Sequence, residues 1–144
     1  MSGGSDGAAV LVDTCALLWF MADRLAPGPK SRRLAAALGA GVFVSPVSAW
    51  EIGLLSRPGR PLTGRFRPDP KAWFTRALGG PGIHLAPFTP EIAIDASHLP
   101  GDLPADPAGR LPIATARQLN LPIVTGDRRV VAYAEAGHVG VLAC

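Results

Sequence analysis

Residues 10–20, V-L-V-D-T-C-A-L-L-W-F, decide how this chain folds. The apolar run at residues 8–12 is short and valine-rich, as expected of a strand buried on both faces in a parallel sheet. It stops at Asp13. Thr14, Leu17, Leu18 and Met21 then recur at helical spacing, so a helix follows at once and a carboxylate stands on the junction. In open α/β sheets this carboxyl edge of the strands is where ligands bind. Taken alone, Asp13 is equally consistent with a plain N-cap that accepts from the first N–H groups of the helix.

The same alternation continues outward. A turn, L-A-P-G-P, precedes an expected second helix over residues 30–38, with Leu34, Ala35 and Leu38 on one face. Residues 42–44 form a second strand, and Ser45-Pro46 opens a third helix, where proline's missing N–H costs nothing at an early position. Residues 72–78 are a fourth helix and 83–86 a third strand. Thr89, Pro90 and Glu91 start a fifth helix as cap, first position and first-turn acid. Residues 99–107 read as a loop holding Asp102 and Asp106. The next helix begins near Arg110, with Pro112 tolerated in its first turn. Residues 123–124 are a fourth strand, 128–134 a short helix and 139–142 a closing strand. This order predicts an α/β domain with a largely parallel sheet and right-handed crossovers. Residues 1–8 are expected to be a flexible lead, and 9–144 one domain.

The chain has 144 residues, of which 48% are hydrophobic, enough for a single core. The 17 glycines and 15 prolines are spread between periodic segments, which excludes a low-complexity chain. A net charge of +3 and a pI near 9.4 lean toward an anionic partner such as nucleic acid. No signal peptide and no apolar run of membrane-spanning length is evident, so a cytoplasmic protein is expected. Cys15 and Cys144 lack metal-ligand spacing and are expected to be reduced thiols. His84, His98 and His138 are too scattered for a zinc site.

Two strands thus end on Asp13 and Asp127, and the second leads into a helix whose second turn carries Glu51 beside Val47, Leu54 and Leu55. A carboxylate facing the interior needs a partner or a cation. At the edge of the apolar stripe it would need neither. If the strand ends are neighbours, three carboxylates share one crevice with no histidine, lysine or cysteine beside them, and only Arg110 and Arg128 near in sequence. Like charges so placed keep a proton or recruit a cation, and all-oxygen ligands favour Mg²⁺ or Mn²⁺. Such an ion activates water and offsets charge at a phosphodiester. No phosphate-binding loop, nucleophile elbow or dinucleotide glycine pattern supports another reaction. Arg57, Arg60, Arg65 and Arg67 lie in the most basic stretch, either a solvated loop or a phosphate-contacting rim with Phe66 free to stack on a base.

Four motifs occur in order: D-T-C-A-L-L-W-F from Asp13, V-S-P-V-S-A-W-E-I from Val44, D-P-A-G-R-L-P-I-A-T-A from Asp106, and I-V-T-G-D-R-R-V from Ile123. Together they resemble a PIN-domain protein of the VapC type, the toxin of VapBC toxin-antitoxin modules, over about residues 9–142. The resemblance implies a three-layer α/β/α fold and a Mg²⁺- or Mn²⁺-dependent endoribonuclease acting on tRNA or rRNA. It also implies a cognate antitoxin and a homodimer. Asp13 matches the first acid of that family, Glu51 the second and Asp127 the fourth. Leu17, Trp19, Phe20 and Trp50 either help form the antitoxin groove or fill the core.

The third acid departs from the pattern. The position immediately before R-L, where the family carries aspartate, is Gly109, and Pro112 replaces a more usual aliphatic residue. Asp106 precedes it in the D-P pair and is a candidate substitute. Losing a carboxylate there is expected to weaken ion binding and slow hydrolysis. The competing expectation is a catalytically inactive module that binds RNA, antitoxin or both. A third is an ordinary α/β domain whose acids only cap helices.

Overall fold

The computed structural model describes residues 8–22, 34, 36–103 and 107–143. Among these, five strands form one parallel sheet: β1 (Val10–Val12), β2 (Val42–Val44), β3 (Ile83–Leu85), β4 (Ile123–Thr125) and β5 (Val141–Ala143), in the order β3-β2-β1-β4-β5. Val12 pairs with Val44 on one side and with Val124 on the other, so β1 is the hinge of the topology. The chain winds outward from β1 to β3 and then returns to the opposite flank, which puts a switch point between β1 and β4.

Six α-helices are described: α1 (Thr14–Met21), α2 (Pro46–Leu55), α3 (Pro70–Leu78), α4 (Pro90–Ser97), α5 (Pro107–Leu119) and α6 (Arg128–Glu135). Strand alternation assigns them to two layers. Val10 and Val12 point into a core with Leu17 of α1, Ile52 of α2 and Phe66, and Trp73 and Phe74 of α3 pack against it. Leu11 and Ile123 point the other way, into Ile92 of α4, Ile113 of α5, and Val130 and Tyr133 of α6. The result is an α/β/α sandwich whose central strands are buried on both sides. Gly82 permits the close approach ahead of β3: it has φ +78°, and a Cβ there would sit 2.2 Å from the Leu38 carbonyl oxygen. No helix among the described residues is long and apolar enough to cross a membrane.

Several elements differ from the sequence expectations, among them the third strand, which ends at Leu85, and α3, which starts at Pro70. The α5 helix starts at Pro107, three residues before Arg110, because proline is itself favoured at the first helical position. Pro112 is therefore inside the helix, not in its first turn, and has no N–H to donate one turn back. The last strand begins at Val141, after Gly140, not at residue 139. Phe66 does not project from the basic loop. It is 2% exposed and packs edge-on against Trp73 with ring centroids 5.2 Å apart, so base stacking by this residue is ruled out. Much of the expected helix at 30–38 lies outside the described residues, as do residues 1–7, Asp106 and Cys144; Leu34 and Ala37 of that segment are buried.

Candidate functional site

Each acid is positioned by a different strand. Asp13 follows β1 in extended conformation and caps α1, its Oδ1 accepting from the Ala16 N–H at 2.8 Å. Asp127 follows β4 and caps α6, its Oδ1 accepting from the Arg129 N–H at 2.9 Å. Capping is thus real at both positions, and each carboxylate still has a second oxygen facing other groups. Glu51 lies on α2, which leaves β2 through the Ser45 cap. Because β2, β1 and β4 are adjacent, Asp13, Glu51 and Asp127 line one cleft of about 380 Å³ at the carboxyl edge. Gly109 and Pro112 of α5 line it as well, so the position before R-L opens onto the same space. A Cβ at Gly109 would meet no heavy atom within 4 Å.

Buried hydroxyls hold the acids. Thr125 is fully buried and donates to Asp13 Oδ2 at 2.5 Å while accepting from the Asp127 N–H at 2.9 Å. One side chain therefore joins two strand ends. Thr14, also buried, lies 2.6 Å from Glu51 Oε1 and 2.9 Å from Ser48 Oγ. A carboxylate only accepts, so the Thr14 proton goes to Glu51 and the Ser48 hydroxyl donates to Thr14.

Electrostatics differ between the two aspartates. Burial pushes the Asp13 carboxyl above its ordinary value; the Thr125 and Ala16 bonds oppose this, and the Asp127 charge adds to it. Asp127 is instead held low, chiefly by the Arg129 side chain, whose Nε and Nη2 lie 3.3 and 3.0 Å from Oδ1 and Oδ2. Partial burial raises the Cys15 thiol, and the charges of Asp13, Glu51 and Asp127 push it the same way, so all three carboxylate fields meet there.

Several residues were not foreseen. Cys15 lines the cleft, contrary to the expectation that no cysteine stands at this edge. The neighbouring arginine is Arg129, not Arg110 or Arg128; Arg110 points away, donating to the Ala96 and Leu103 carbonyls at 2.7 and 3.1 Å. Thr125 was findable, since a Thr hydroxyl accepting from the N–H two residues on is a common local turn. Arg57, Arg60, Arg65 and Arg67 are all exposed, with Arg67 Nε bonded to the Gly64 carbonyl at 3.0 Å. Of the apolar groove candidates, Leu17 is fully buried and Phe20 packs on the core, whereas Trp19 is 36% and Trp50 55% exposed.

The three carboxylates offer the oxygen donors that a hard divalent cation prefers, around a half-buried Asp13 whose charge is costly without one, and Cys15 is the one sulfur among the residues lining the cleft. Among the described residues, no three Asp, Glu, His or Cys side chains are near enough to enclose an ion together as they stand. An ion here would be held by few protein ligands, with water completing its shell.

No curated protein matches the chain significantly by sequence. The chain resembles VapBC2 from Rickettsia felis, solved bound to a DNA fragment from their promoter, with a TM-score of 0.64 at 11% identity over 94% of this chain and 98% of that one. It also resembles FitAB bound to an IR36 DNA fragment, with a TM-score of 0.59 at 19% identity over 93% of this chain and 94% of that one. FitAcB from Neisseria gonorrhoeae gives a TM-score of 0.51 at 20% identity, covering 92% and 96%. These likenesses are of fold. The sequence profile described as PIN domain matches residues 10–136, and on that match the chain belongs to the PIN domain family.

Proposed function

We propose that this chain is a VapC-type toxin: a Mg²⁺- or Mn²⁺-dependent endoribonuclease with turnover reduced by Gly109. One observation carries the reading. Asp13, Glu51, Asp127 and position 109, from four separate segments, line a single cleft at the switch point of the sheet. PIN domains are generally nucleases, and an acidic cleft on a chain of net charge +3 suits phosphodiester chemistry.

Asp13 and Asp127 would hold the ion, with Glu51, fixed by Thr14, orienting it or the attacking water. When bound, Mg²⁺ or Mn²⁺ supplies an activated water and positive charge beside the phosphodiester. Thr125 keeps Asp13 and the Asp127 backbone in register. Gly109 offers neither charge nor a side-chain hydrogen bond where the third carboxylate of the pattern would act. Asp106 lies outside the described residues. The exposed arginines 57, 60, 65 and 67 would contact the phosphates of a tRNA or rRNA. The likeness to VapBC2 and FitAB, both solved as complexes, supports a VapB-type antitoxin as partner, with Trp19 and Trp50 available to meet it. The working assembly would be a homodimer.

Gly109 favours one second reading, a PIN fold that binds RNA or antitoxin without cutting. Cleavage of a tRNA pool in Mn²⁺ by the natural chain and by Gly109→Asp separates the two. A gain of about tenfold or more in the variant is expected. Equal, robust cutting by both would remove position 109 from the account, and retention of RNA without cutting by either would favour the binding module.

A further inference from the structure

Among the described residues lining the acidic cleft, Arg129 is the one with a cationic side chain. It grips Asp127 through Nε and Nη2, and its backbone N–H also bonds Oδ1, so both carboxylate oxygens are engaged. Asp127 is also a ligand in the metal reading above, on which the present argument rests. A guanidinium and a divalent ion at the same carboxylate repel each other and contend for the same lone pairs. Arg129 can also leave cheaply, because its side chain is 57% exposed and sits in the first turn of α6. The planar fork that fits a carboxylate fits a phosphate equally well.

We infer that Arg129 is a positioning residue that competes with the divalent ion: it occupies Asp127 while the cleft holds no nucleic acid, and it transfers to a backbone phosphate when one enters. Phosphate that takes Arg129 would free Asp127 for a divalent ion, and Arg129 would favour phosphate more when Asp127 holds such an ion. Linkage requires the two effects to be equal. Since exposed ion pairs are weak, the competition should loosen ion binding by about two- to fivefold.

The test uses the intact chain, with Mn²⁺ binding read from the electron paramagnetic resonance of the free ion, and binding of a labelled mixed-sequence oligodeoxynucleotide read by anisotropy in Mn²⁺. Four proteins are compared: natural, Arg129→Gln, Arg129→Lys, and Arg128→Gln, which removes the same charge one residue away. Arg129→Gln should bind Mn²⁺ about two- to fivefold tighter and the oligonucleotide more weakly, with Arg129→Lys between it and the natural chain and Arg128→Gln close to the natural chain for Mn²⁺. A merely structural role would weaken both ligands together. Equal tightening by Arg128→Gln, or unchanged or weaker Mn²⁺ binding in Arg129→Gln, overturns the competition while leaving the metal reading intact. No Mn²⁺ binding by any of the four proteins would end the metal reading and the competition with it.

Discussion

Replacing Thr125 with valine tests the link between the two strand ends. The hydroxyl makes two bonds in a fully buried position, one to the Asp13 carboxylate and one from the Asp127 N–H. A bond to a charged group is worth about 1.5–3 kcal/mol and a neutral one about 0.5–1.5 kcal/mol, while the added methyl returns about 0.8 kcal/mol. The net cost is therefore about 1–4 kcal/mol, or about 3–12 °C of melting temperature for a chain of this size. The pH dependence has a definite sign. Asp13 already titrates above its ordinary 3.8, so the folded protein binds more protons than the unfolded one between 3.8 and the raised value. Stability falls as pH rises through that window. Loss of the Thr125 bond raises Asp13 further, so the variant's deficit should grow with pH across the window and level off above it. Asp127 acts in the opposite direction: its depressed value stabilises the fold above the ordinary carboxylate range, and that contribution disappears as pH falls through the depressed value. The Arg129 fork remains in both proteins, so it largely cancels in the difference. Thermal melts from pH 3 upward decide the matter. A variant melting within about 1 °C of the natural chain, with a parallel pH profile, would refute the bridge.

Phe66→Ala should cost about 3–5 kcal/mol, read by denaturant titration, because the ring is core and packs on Trp73. RNA affinity per folded molecule should be unchanged; a specific loss of affinity would restore the stacking role that burial excludes. Thr14→Val should destabilise the fold by about 1–3 kcal/mol and weaken Mn²⁺ binding, since Glu51 loses a short bond that helps to aim it. An unaltered Mn²⁺ titration would remove Glu51's orientation from the account.

Much of the fold was legible because β1, β2 and β4 are short apolar runs that end abruptly on Asp13, Ser45 and the Gly126-Asp127 pair. Caps and prolines marked the starts of α2 and α4 for the same local reasons. The start of α5 is hidden in the sequence because Pro107 closes the irregular-looking stretch L-P-G-D-L-P-A-D-P and yet occupies the first helical position. Convergence of Asp13 with Asp127 depends on β4 pairing with β1, a long-range contact that no periodicity contains. The inward turn of Phe66 was hidden by four arginines around it, whose charge describes the loop's surface and not its one anchor. Arg128 and Arg129 look alike in sequence. Only the first turn of α6 shows which of them reaches Asp127.

The central claim is that Asp13 anchors a divalent ion in a cleft shared with Asp127 and Glu51. Mn²⁺ titration of Asp13→Asn against the natural chain tests it most directly, because asparagine keeps the shape and the capping oxygen while removing the charge. A loss of Mn²⁺ affinity of about tenfold or more is expected, in a protein that still folds. Equal Mn²⁺ affinity in the two proteins would contradict it.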